Sequence, residues 1–179
     1  MKYLIMCEGP NERQIIDILL DNNLLMFGRD DLLGLVPYHA RQINSSGQIR
    51  ATLNMYTGND VIILRIGDKQ NEELRIPVVY KHKIQNVQKV CTKPELEVLL
   101  IIAEGMWREY YKVKSKMSAK EFAKAHIRLG SKRYDNSTVF YHEYFGNYAD
   151  KLVYCIKEYR RLHKTHRTDE AYLADFLSG

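Results

Sequence analysis

The run Asp60-Val-Ile-Ile-Leu-Arg-Ile66, closed by Gly67-Asp68, decides the fold class. It is β-branched and continuous rather than alternating, the pattern of a strand buried on both faces. Such strands belong to parallel sheets covered by helices. Toward the start of the chain, Lys2–Gly9 (KYLIMCEG) is a second apolar run, stopped by Gly9-Pro10. Asn11 is placed to cap a helix whose Ile15, Ile16, Ile18, Leu19 and Leu20 share one face. A short strand fits Leu35–His39, and Ser45 or Ser46 caps a second helix carrying Ile49, Leu53 and Tyr56. The order strand, helix, strand, helix, strand predicts an α/β fold: a mostly parallel, Rossmann-like sheet flanked by helices.

Toward the end of the chain, Pro77–Val90 reads as one or two extended segments. Thr92-Lys-Pro-Glu95 then has capping-box spacing with Pro94 in the first turn, and predicts a deeply buried helix that ends at Gly105. Beyond it come amphipathic helices, a dense basic run from Lys112 to Arg133, a helix over Tyr154–His166 and a last helical segment over Ala171–Leu177. These signals divide the chain into an α/β core over residues 1–105 and a helical extension over 106–179, packed on the core.

The chain has 179 residues, 45 % of them hydrophobic and 27 % charged, which excludes a disordered polypeptide and fits one domain. No apolar stretch approaches the ~18 residues of a membrane span. The first strand is too short for a secretory leader. Cys7, Cys91 and Cys155 are odd in number and form no CxxC, so they read as reduced core residues of a cytoplasmic protein rather than zinc ligands. The net charge of +5 is unevenly spread. Residues 1–80 hold 8 Lys+Arg against 10 Asp+Glu, and residues 81–179 hold 19 against 12. An acidic half that could hold cations beside a basic half that could face phosphates suits a protein that acts on nucleic acid.

In open parallel sheets, ligands collect at the carboxyl ends of the strands. Glu8 ends the first strand and Asp68 the third, so both carboxylates are expected at one edge. Oxygen ligands of this kind suit a hard cation, Mg²⁺ or Mn²⁺. Each residue also has a plainer reading. Glu8 could accept amides at the helix start, Glu12 could be a solvated first-turn acid, Asp68 a turn residue and Glu95 a capping residue. Lys81, Lys83 and Lys93 could contact phosphate or be ordinary surface lysines, and the Lys112–Arg133 run could be a solvated face.

Cys7-Glu8-Gly9-Pro10-Asn11-Glu12 resembles the EGxxE opening of Toprim domains, above all those of OLD-like nucleases and related phage-defence proteins. Ile66-Gly67-Asp68 lies where the family's DxD begins, and Pro94-Glu95-Leu96-Glu97 resembles the P-x-F-E segment that opens a buried helix. The resemblance covers roughly the first 105 residues. It implies a Toprim-like fold and a metal-dependent nuclease, with Glu8, Asp68 and Glu97 catalytic and Glu8, Glu12, Asp68 and Glu97 around Mg²⁺ or Mn²⁺. It further implies nucleic acid as substrate, a partner protein such as an ATPase, and a role in phage defence. One departure stands out. The second acid of DxD is replaced in Asp68-Lys69-Gln70, with Glu72 or Glu73 as candidate substitutes. That loss keeps open an inactive Toprim-like module that binds nucleic acid or a protein. A nucleotide-binding regulatory domain is a further alternative, against which the absence of a GxxxxGK[ST] loop counts.

Overall fold

A computed structural model describes residues 1–179 except Lys69 and Thr165. Its centre is a five-stranded sheet, every strand parallel to its neighbours, built from β1 (Lys2–Cys7), β2 (Tyr38–His39), β3 (Val61–Gly67), β4 (Ile84–Cys91) and β7 (Glu170–Ala171) in the order β2-β1-β3-β4-β7. A two-stranded hairpin, β5 (Arg128–Leu129) with β6 (Lys132–Arg133), stands apart from it. The fold is Rossmann-like α/β, as the continuous apolar runs predict.

Alternation along the strands shows why those runs are unbroken. Leu4, Met6, Val61 and Ile63 face one core, which is covered by Ile49 and Leu53 of α2 (Gly47–Met55) and by Tyr80. Ile5, Cys7, Leu64 and Ile66 face a larger core on the other side. The period of two is intact, but both faces are buried, so the positions from Leu4 to Cys7 and from Val61 to Ile66 are apolar except Arg65, whose buried guanidinium donates to Glu72 O at 2.7 Å. The larger core is filled by α1 (Pro10–Asp21), α3 (Val98–Ala103), α4 (Trp107–Val113), α5 (Ala119–His126), α6 (Thr138–Phe145) and α7 (Ala149–Leu162). Here α1 packs against α6 and α3 against α7.

Residues 1–105 and 106–179 therefore share one core. The later segment also contributes β7, which pairs Lys89 with Glu170 and Val90 with Ala171. The last segment is thus strand plus a single 3-10 turn over Leu173–Phe176 rather than a helix, since two residues of main chain find ladder partners on β4. Other local expectations also shift. Gly9, not Asn11, caps α1, and the Asn11 amide instead donates to Asn136. Ser46 caps α2 by accepting from the Ile49 amide. The helix expected from Thr92 begins only at Val98, with Glu97 at its N-cap. Among the described residues, no helix is long and apolar enough to cross a membrane.

Candidate functional site

The chain leaves β1 for β2 on one side and later reaches β3 on the other, so the strand order reverses between β1 and β3. The carboxyl ends of such a pair border a natural crevice. Glu8 follows β1, Arg41 follows β2, Asp68 follows β3, and the Pro94–Glu97 segment follows β4. Together with Glu12, Asn11, Lys120 and Asn136 these residues line a cavity of about 400 Å³. Five carboxylates, those of Glu8, Glu12, Asp68, Glu95 and Glu97, thus meet two cationic side chains, Arg41 and Lys120.

Two glycines make this crowding sterically possible. A Cβ on Gly67 would lie 2.7 Å from Glu8 Cβ, and one on Gly9 would lie 2.5 Å from Glu12 Oε2. The Glu8 amide donates to Ile66 O at 2.8 Å, fixing the turn that carries the side chain over Gly67. Glu8 Oε1 pairs with Arg41 at 3.2 Å, while Glu8 Oε2 is buried with no hydrogen-bond partner. Asp68 Oδ1 and Asn11 Oδ1 are buried and unpartnered as well. Glu97 is fully enclosed; it accepts from the Tyr134 hydroxyl at 2.7 Å and lies 3.9 Å from Lys120 Nζ.

Enclosure and mutual repulsion hold protons here. The Asp68 carboxyl is pushed up to about 8, first by burial and then by Glu12, Glu97, Glu8 and Glu95. Burial also raises Glu12, with repulsion from Glu8 and Glu97 adding to it, against a hydrogen bond from its own amide and attraction to Lys120. Buried anionic oxygens without donors are costly unless a proton or a cation answers them.

Glu8, Glu12, Asp68 and Glu97 are thus brought to one cleft, and the expected lysines are not. Lys81 and Lys83 precede β4, whereas the cleft lies beyond its far end. Eight residues at about 3.3 Å each put some 25 Å between them. Lys83 Nζ is occupied by the carbonyls of Leu53 and Tyr56 at 2.7 and 2.5 Å. Lys93 is at the correct edge but turns to Glu170, 2.6 Å away on β7. The cationic side chains that line the cleft are those of Arg41 and Lys120. No residue pattern singles out either one, because each depends on which elements the topology gathers.

Glu95 belongs to no box with Thr92. Its Oε2 accepts from the Lys120 amide at 2.8 Å, serving the first turn of α5 from a distance in sequence. Gln70, where the Toprim resemblance would call for a second acid, is buried, and its amide donates to Arg65 O and, at 3.2 Å, to Val90 O. Glu72 is bonded to Gln42 at 2.9 Å, and neither Glu72 nor Glu73 lines the cleft. Glu72 lines an adjoining cavity together with Glu8 and Arg41, flanking Glu8 without entering the cleft.

Among the described residues, no three His, Cys, Asp or Glu side chains close into a metal cage; the carboxylates ring the cavity instead. A hard cation that keeps several waters suits such a ring, since Mg²⁺ commonly takes only one or two protein carboxylates and completes its shell with water and phosphate. The chain matches no protein-family profile, no curated protein and no solved structure with which it was compared.

Proposed function

We propose that this chain is a Toprim-like, divalent-metal-dependent hydrolase of nucleic acid phosphodiesters. One observation carries the reading: Glu8 and Asp68, each with one buried and unpartnered oxygen, line one cleft at the β1/β3 edge together with three further acids. Glu8 and Asp68 would hold Mg²⁺ or Mn²⁺, with Glu12 and Glu97 behind them. When bound, the cation supplies charge for a phosphate oxygen and acidity for water. The side chains do the rest. Asp68 gives up its proton on ligation, and Glu12, raised above an ordinary carboxylate, accepts one from the attacking water. Arg41 and Lys120 face the charge that develops on the phosphate. Water adds to phosphorus as its proton passes to Glu12, one ester bond breaks, and the leaving oxygen takes its proton from solvent water.

A second reading is favoured by one specific observation. Gln70 replaces the second DxD acid and is tied to two strand carbonyls, which supports a module that binds nucleic acid or a partner protein without cutting. An ATPase partner and a role in phage defence rest on the resemblance alone. The deciding experiment incubates purified protein with labelled DNA and RNA in Mn²⁺ or Mg²⁺, with and without candidate partners. Metal-dependent cleavage that Asp68→Ala abolishes while substrate affinity persists supports the hydrolase. Salt-sensitive binding with no cleavage on a broad panel moves the conclusion to the binding module.

A further inference from the structure

Across the Pro94–Glu95 ridge from the acid cleft lies a second cavity of about 530 Å³, walled by α4, the α4–α5 turn and the end of α7. Cavities of roughly 300–1,000 Å³ are the size that small ligands occupy. Spacing on α4 builds the wall. Trp107, Tyr110 and Tyr111 are three and four residues apart and share a face. Their centroids lie 6.0 Å (Trp107–Tyr110) and 6.3 Å (Trp107–Tyr111) apart. Tyr110 is buried and braced edge-on by Phe122, whereas Tyr111 is 55 % exposed. Lys114 Nζ stands 3.8 Å from the centre of the Tyr111 ring.

The charge of this cavity is opposite to that of its neighbour. Lys114, Lys116 and Lys164 line it against a single carboxylate, Glu95, which is already engaged by the Lys120 amide. A matching ligand is flat and π-faced where it meets the rings, anionic where it meets the lysines, and able to cross the ridge. A nucleotide whose base is not paired has that form. Aromatic platforms beside cationic side chains are how proteins hold single strands, and a duplex keeps its base faces hidden.

We propose that this cavity takes an unpaired base of a DNA or RNA single strand, stacked on Trp107 and Tyr111, with its phosphates on Lys114, Lys116 and Lys164. The strand then crosses Pro94–Glu95 and lays the adjoining phosphodiester over Glu8 and Asp68. This second step rests on the hydrolase reading. The base pocket itself needs neither metal nor cleavage.

Trp107 is the only tryptophan in the chain, so its emission reports on this cavity. The test titrates the full chain, in EDTA, with oligothymidylate or oligouridylate of about ten nucleotides, with a duplex of the same length, and with the mononucleotide. Saturable quenching by the single strands is expected, retained in Asp68→Ala and weakened roughly 5- to 100-fold in Tyr111→Ala, the range of one lost stacking platform. Lys114→Gln is expected to weaken binding and flatten its salt dependence. Both positions are exposed, and circular dichroism confirms that the variants fold. The proposal is overturned by absent quenching, by a duplex or a mononucleotide binding as tightly as the single strand, or by indifference to Tyr111→Ala. Quenching without any cleavage in the metal assays would sink the hydrolase and keep the pocket; cleavage without quenching would do the reverse.

Discussion

Replacing Asp68 by asparagine is expected to stabilise the metal-free protein at alkaline pH while abolishing the proposed metal-dependent hydrolysis. The Asp68 carboxyl stands at about 8 against 3.8 for a free aspartate, first through burial and then through Glu12, Glu97, Glu8 and Glu95. The folded chain therefore keeps this proton up to about pH 8, whereas the unfolded chain releases it near pH 4. The stability that the proton lends is fully present below the unfolded value and is lost as pH rises through the folded one. At about 1.4 kcal/mol per pH unit, a difference of about four units sets a ceiling of about 6 kcal/mol. Water and counterions in an open cleft reduce that to about 2–3 kcal/mol. Asparagine has nearly the same shape and stays neutral, so it removes this titration alone. Urea unfolding in EDTA at about pH 5 and pH 8.5 measures the difference. Wild type is expected to lose about 2–3 kcal/mol more than Asp68→Asn between the two. Excess Mn²⁺ is expected to restore the wild type and leave the variant unchanged. Parallel pH dependence in the two proteins would refute a buried, proton-holding Asp68.

Three further outcomes are expected. Mn²⁺ binding releases protons near pH 7 and tightens up to about pH 8, because ligation strips Asp68; calorimetry in buffers of different ionisation enthalpy reads this, and an affinity independent of pH would contradict it. Gly67→Ala brings a Cβ within 2.7 Å of Glu8 Cβ, and is expected to cost about 1–3 kcal/mol of stability and at least about tenfold in Mn²⁺ affinity, with unchanged affinity speaking against the cradle. Lys83→Ala is expected to leave the proposed phosphodiester cleavage intact and lower thermal stability, while Arg41→Ala lowers cleavage and leaves stability nearly unchanged; cleavage lost in Lys83→Ala would place that lysine back at the chemistry.

The α/β class and the acidic edge are legible in the sequence because both follow from strand physics. Continuous apolar runs such as Val61–Ile66 imply two covered faces, hence a parallel sheet, and the residue after each run marks the edge where ligands collect. Glu8 and Asp68 are found that way. The lysines are misplaced for a complementary reason: composition does not say at which end of β4 a residue lies, and Lys81 and Lys83 come before it. β7 has only two residues, too few for any periodic signal, and takes its conformation from β4. The late start of α3 has the same kind of cause. Glu95 has capping-box spacing with Thr92, yet a backbone amide 25 positions along the chain takes its carboxylate. Arg41 reaches the cleft from the loop after β2 and Lys120 from the first turn of α5, a placement visible only in three dimensions.

That long-range bond makes Glu95 a choice rather than a fixture. Its Oε2 can hold the amide of Lys120 or turn into the cleft, but not both. Turning it inward frees one first-turn amide of α5 at a cost of about 1 kcal/mol, while the Ser118–Glu121 capping box stays in place. Whenever a ligand recruits Glu95, the Lys120 amide loses its acceptor while the rest of the first turn of α5 keeps its cap. The solvent-exchange rate of one backbone hydrogen, on Lys120, then becomes a gauge of what fills the acid cleft, readable with no substrate present.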